Sequence, residues 1–252
     1  RMYNQKYLPG ELPIKKEKLV CPLATPKKIT RYVSTGSEEL DKLLIGGIPQ
    51  TYPVILVAPF CDERDLLIKQ FLEQGLREGE TVFYVSTEIS GLETQIKKFQ
   101  SKFHLFICNP QSDMLIKDSN NVFKLKNGVM SLTDINIALS SVIRKLEKST
   151  SVPRRICISL VSDILLQHHA ITTKNWLTGL VAELRSQGFT ILAVMDPLMH
   201  SPQEVHAILG LFDGEIALEE RKTSRGSQKI LKINRMYNQK YLPGELPIKK
   251  EK

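Results

Sequence analysis

The side chains best able to do chemistry sit where apolar runs end. Ala58–Asp65 (APFCDERD) follows the run Val54–Val57 and leads into a helical pattern. A strand-to-helix turn of that kind presents backbone N–H groups at a helix N-terminus, where a phosphate normally sits. Glu88 ends a second run, TVFYVSTE; a carboxylate there is a candidate general base, although a lone Glu capping a strand is more often an ordinary polar surface group. Ser159 and Ser162 follow a third run, but no His lies at a hydrolase spacing and no G-x-S-x-G occurs, so a serine nucleophile is discounted. His168 and His169 are adjacent and so point apart, which suits a solvated loop or an interface better than a shared metal. Cys61 lies near Arg64, yet Asp62 and Glu63 oppose a low thiol pKa, and inert packing is the better reading. No metal ligand set is expected.

The elements that must position these groups alternate. Helical patterns cover Ser34–Leu44, Asp65–Glu78, Leu92–Lys102, Leu132–Lys148, Thr173–Gln187 and Pro202–Leu209. Strands are expected at Val54–Val57, Thr81–Thr87, His104–Cys108, Arg155–Val161, Thr190–Met195, Gly214–Glu219 and Lys229–Asn234, with residues 109–131 irregular. This alternation implies an α/β fold: a mostly parallel sheet with helices on both faces, closed by a C-terminal antiparallel hairpin. Trp176 shares a helical face with Leu177, Leu180 and Leu184 and is read as packing.

Residues 1–18 (RMYNQKYLPGELPIKKEK) recur without a change as residues 235–252 of the 252-residue chain. Drift does not preserve such a copy; a very recent duplication, an engineered or artefactual copy, or a tandem of modules does. Residues 1–30 are read as a tail or linker, 31–234 as one domain and 235–252 as a C-terminal tail. Each copy holds five Lys/Arg and two Glu, so the two copies account for +6 of the net +8, and the body is close to neutral. That balance disfavours a globally basic nucleic-acid binder. With 42% hydrophobic residues a real core is affordable, and no 18-residue apolar run crosses a membrane. Cys21, Cys61, Cys108 and Cys157 lie far apart, which points to a reducing, cytoplasmic setting.

The run STGSEELDKLLIGGIP, followed by an apolar strand, IKQFLEQGLREGE and VFYVSTE, resembles the KaiC-like branch of the RecA-fold ATPases. That family shows TG-x-x-x-LD-x-LL-x-GGIP, a P-loop, QFL-x-x-G-x-x-x-GE and YVS-x-E. The 18-mer is similar to the stretch that closes such domains. The resemblance implies a three-layer RecA-like fold, with ATP and magnesium in relatives. This chain departs at the residues that hold them. Ala58 and Glu63 stand where the P-loop glycines belong, Arg64 at the Lys and Asp65 at the Thr. Ser159 stands at the metal-associated Asp; Asp163 is a shifted candidate but falls beyond the strand end. A carboxylate facing a triphosphate at ~4 Å opposes it by roughly 4 kcal/mol. Glu88 matches the water-activating glutamate. The family's trans-acting Lys and Arg correspond to Arg235 and Tyr237, and in the first copy to Arg1 and Tyr3.

The expectation is therefore an inactive ATPase homologue, with no cofactor, that assembles head to tail with itself and serves as a scaffold or regulatory subunit for another protein. The tail's Tyr237, Tyr241 and Leu242 would dock on a neighbouring protomer. Two alternatives stand beside it. One is a slow or nucleotide-gated ATPase using Arg64 and Glu88 with ATP and magnesium; the other is a nucleic-acid-binding relative of recombinases that uses its basic, Tyr-bearing tails.

Overall fold

The computed structural model describes residues 31–89, 91–146, 152–223 and 226–248. Arg1, Tyr3, Cys21 and the whole first copy of the 18-mer lie outside them. The elements run in this order: β1 (Tyr32–Val33), α1 (Glu38–Leu43), β2 (Ile48–Pro49), β3 (Pro53–Val57), α2 (Asp62–Arg77), β4 (Thr81–Ser86), α3 (Glu93–Lys98), β5 (Phe103–Ile107), α4 (Ser112–Leu115), β6 (Val122–Lys124), α5 (Leu132–Lys145), β7 (Arg154–Ile158), α6 (Val161–Ser186), β8 (Phe189–Met195), α7 (Pro202–Leu209), β9 (Gly214–Thr223), β10 (Gly226–Met236) and β11 (Glu245–Ile248).

β1 and β2 form a small antiparallel pair. The other nine strands form one sheet in the order β11-β10-β9-β3-β8-β7-β4-β5-β6. Every pairing from β9 to β6 is parallel, and β9-β10 and β10-β11 are antiparallel. Successive strand residues face opposite sides, and the core divides accordingly. Val54, Leu56, Val82, Tyr84 and Leu192 pack with α1, α2 and α3. Ile55, Phe83, Val85, Ile191 and Ala193 pack with α5, α6 and α7. The parallel sheet, its two helical layers and the closing hairpin are as expected from the alternation.

Boundaries differ in informative places. α2 starts at Asp62, three residues before the expected start, because Asp62, Glu63 and Asp65 all favour the positive end of the helix dipole. α3 stops at Lys98, short of Lys102. The segment read as irregular holds α4 and β6, a strand on the sheet's far edge. β7 ends at Ile158, and Val161, read as its last residue, opens α6 instead. α6 reaches back far beyond Thr173 and bends at His169, whose φ of 59° and ψ of 171° interrupt the helix. His168 and His169, expected in a solvated loop or at an interface, therefore lie within a bent helix and not in a loop; His168 Nε2 is bonded to the Val129 carbonyl (2.8 Å). Trp176 is half-buried, and its Nε1–H donates to Asn136 Oδ1 (2.9 Å).

The segment read as a tail begins inside the sheet. Arg235 and Met236 finish β10, and 245–248 return as β11 along its edge. Further along the sheet, α2 is clamped to β7 by Arg155. Its fully buried guanidinium pairs with Glu80 and donates to the carbonyls of Phe71 (2.7 Å) and Ser34 (2.9 Å). Gly75 makes room for it: a Cβ there would lie 2.4 Å from Arg155 Nε.

Candidate functional site

A cleft of about 180 Å³ opens beyond the carboxyl ends of β3, β4, β7 and β8, where ligands bind in open parallel sheets. The β3–α2 turn contributes Phe60, Arg64 and Asp65, the end of β4 contributes Ser86 and Glu88, and the β7–α6 turn contributes Ser159 and Asp163. Arg64, Asp65, Glu88 and Ser159, singled out in the sequence, are thus brought to one cavity. Ala58 is fully buried beneath it, its N–H bonded to the Met195 carbonyl (3.0 Å). Glu63 is buried as well. Cys61 is the extended N-cap residue of α2, and burial raises its thiol pKa, which suits inert packing.

The charges in the turn answer one another. Arg64 Nε and Nη2 both donate to Asp65 Oδ1 (3.0 and 2.8 Å), and the guanidinium lies 4.3 Å from the Phe60 ring centroid. The cation at the lysine position is thereby held by the carboxylate at the threonine position. No residue from Ala58 to Asp65 has a positive φ, so the turn lacks the left-handed curl that glycines permit. The Phe60 N–H is occupied: Asp196, at the end of β8, accepts from it (3.0 Å) and from the Leu198 N–H (2.9 Å). Asp196 is itself fixed, its own N–H donating to Ser162 Oγ (2.9 Å).

Ser159 belongs to a neutral hydroxyl chain. Its Oγ lies 3.2 Å from Tyr84 Oη and donates to Ser86 Oγ (3.1 Å), which accepts from the Glu88 N–H (3.0 Å). Burial pushes the Tyr84 phenol up to about 12, so the chain stays uncharged at neutral pH. Asp163 does lie beyond the end of β7, as expected, yet the first turn of α6 returns it to the cleft wall. Burial raises its carboxyl pKa and Glu88 adds to that, while Arg64 opposes.

Sequence reading missed Asp196, Tyr84 and Ser86. Asp196 stands in MDP directly after an apolar strand, and that position was the available signal. Arg235 and Tyr237 lie away from this cleft. Arg235 Nη2 donates to the carbonyls of Leu209 (2.8 Å) and Phe212 (3.1 Å), and the guanidinium stacks on Tyr237 at 4.6 Å. Both are held within their own chain, and Tyr237 keeps about half its surface exposed.

The family model described as "ATPase: KaiC" matches residues 33–250. The chain belongs to the KaiC ATPase family. A solved KaiC-like protein from the hyperthermophilic archaeon Pyrococcus horikoshii OT3 is similar in fold, with a TM-score of 0.61 at 19% identity, covering 86% of this chain and 94% of that one. Comparison with curated protein sequences gave no match. The sheet and its helical layers are thus RecA-like, as the KaiC resemblance implied.

A KaiC-family fold implies a nucleoside triphosphate with magnesium, and the residues present do not fit them. The loop donor is filled by Asp196, the cation by Asp65, and the α2 N-terminus carries three acids of its own. Ser159 supplies no charge at the metal position. Among the described residues, no three His, Cys, Asp or Glu side chains gather as a metal site. No helix there is long and apolar enough to cross a membrane.

Proposed function

We propose that this KaiC-family chain is a RecA-fold pseudo-ATPase that works through assembly, joining copies of itself head to tail and serving another protein as a scaffold or regulatory subunit. The observation that carries the reading is the Asp196 carboxylate on the Phe60 N–H. A loop donor at the phosphate position already holds an anion from its own chain. The Arg64–Asp65 pair and the neutral Tyr84–Ser159–Ser86 chain support it, since each satisfies internally a group that ligand would otherwise satisfy. The sheet and its packing are meanwhile intact, as a fold kept for shape requires. Cys61, Cys108 and Cys157 are free thiols, which fits a cytoplasmic setting.

Calorimetry of MgATP against ~100 µM protein tests this, since binding down to millimolar dissociation constants, ~4 kcal/mol, would register. The expected result is no heat and no rise in Tm with millimolar nucleotide. Arg64→Lys is expected to restore no phosphate release, because Asp65, Ser159 and Asp196 remain. Micromolar binding, with magnesium-dependent phosphate release abolished by Glu88→Ala, would replace this reading with a slow ATPase.

A further inference from the structure

The sequence of the sheet's outermost strand recurs elsewhere in the chain. β11 pairs with β10 in the register Lys229↔Ile248, Ile230↔Pro247, Leu231↔Leu246 and Lys232↔Glu245. The Glu245 carboxylate takes two hydrogen bonds from Arg221 on β9, each 2.7 Å. Leu246 and Ile248, on the opposite face of the strand, pack against the core. Just upstream, the Leu242 N–H donates to the Leu43 carbonyl (2.7 Å), and a Cβ on Gly244 would come within 2.9 Å of Leu43. Residues 1–18 repeat all of these side chains in order: Leu8, Gly10, Glu11, Leu12, Pro13 and Ile14 stand for Leu242, Gly244, Glu245, Leu246, Pro247 and Ile248.

Each chain thus carries one β10 edge and two copies of the sequence that forms β11. We propose that this edge is an exchangeable docking site, on which residues 8–14 of a second copy of the chain replace residues 242–248. The contact deepens the assembly part of the reading above and does not depend on the loss of ATP chemistry. The same side chains meet the same edge in either arrangement, so the tether decides between them. Residues 237–244 hold the resident strand at an effective concentration in roughly the millimolar range. Exchange therefore grows with protein concentration and with any change that weakens β11 alone. The basic edge formed by Arg221, Lys229 and Lys232 suits the Glu of either copy. Pro13, like Pro247, lacks an N–H and keeps the incoming strand on the outside of the sheet. The chain from residue 14 to residue 31 can span up to roughly 60 Å, enough to reach a neighbour.

The test is disulfide trapping in the full chain, with Cys21 and Cys61 replaced by Ser. Lys229→Cys with Ile14→Cys is expected to give disulfide-linked dimers and higher multiples that increase with concentration. Adding Glu245→Lys weakens only the resident strand, since Glu11 is untouched. It should raise the dimer yield about fivefold, the weight of one well-formed surface ion pair. Lys229→Cys with Pro13→Cys, out of register, should couple far less. Lys229→Cys with Ile248→Cys should close within one chain. If that control closes while the Ile14 pair stays uncoupled, or couples only within a single chain, the proposal is overturned. If the control does not close, the β10–β11 register falls and the proposal with it. MgATP calorimetry reads none of these outcomes, so either reading can fail alone.

Discussion

His104 stands on β5 between Phe83, edge-on at 5.1 Å, and Phe123 at 6.3 Å. Neither ring nitrogen finds a hydrogen-bond partner among the described residues. Burial lowers its pKa to about 4, against an ordinary value near 6.5. The unfolded chain then binds the extra proton first as pH falls. The stability His104 supports is complete above pH ~6.5 and is lost between ~6.5 and ~4, up to about 3 kcal/mol. Urea titrations at pH 7 and pH 4.5 should show that loss, and His104→Phe should reduce it. At the same scale, the cleft's groups satisfy one another, and on the proposed reading a single Arg64→Lys change is therefore expected to give no phosphate release.

At the scale of elements, the Arg155 clamp ties α2, β7 and the chain before α1 into one unit. Arg155→Met leaves Glu80 buried and unpaired and should lower unfolding free energy by about 3–5 kcal/mol. The double change Arg155→Met with Glu80→Leu should recover much of that in the same denaturation experiment. The clamp also marks the limit of sequence reading. Strand and helix periods made the sheet, its layers and the β3–α2 turn legible, because each follows from residues close in sequence. Arg155 reads only as the start of a strand, since Glu80 and Phe71 come from distant segments. The bend at His169 is hidden likewise: the pattern of residues 161–168 is too short to announce a helix. Asp163 looked misplaced because strand register alone could not show that α6 begins at once and turns it inward. The place of Asp196 after an apolar strand is legible in the sequence, but its bond to the Phe60 N–H follows only from β8 lying beside β3.

Across the whole molecule, charge is concentrated in the repeated segment. The two copies hold most of the net +8, and the body between them is close to neutral. Single-stranded DNA should therefore bind weakly, with no measurable retention at about 0.15 M salt, where a few phosphate contacts are screened out. Deleting residues 1–18 should lower the salt needed for elution from heparin and leave Tm unchanged. Tight, salt-resistant DNA binding would return the recombinase-like alternative to the front.

The Asp196–Phe60 contact bears on ancestry as well as chemistry. On the proposed reading, the family's loop glycines and lysine would have to be regained one at a time. Here each single reversal meets an occupant from another strand: a new lysine finds Asp65 beside it, and a freed loop amide still finds Asp196. On that reading, no single reversal is expected to improve ligand binding. On the proposed reading, the carboxylate at the end of β8 acts as a pawl that opposes regaining nucleotide binding one residue at a time.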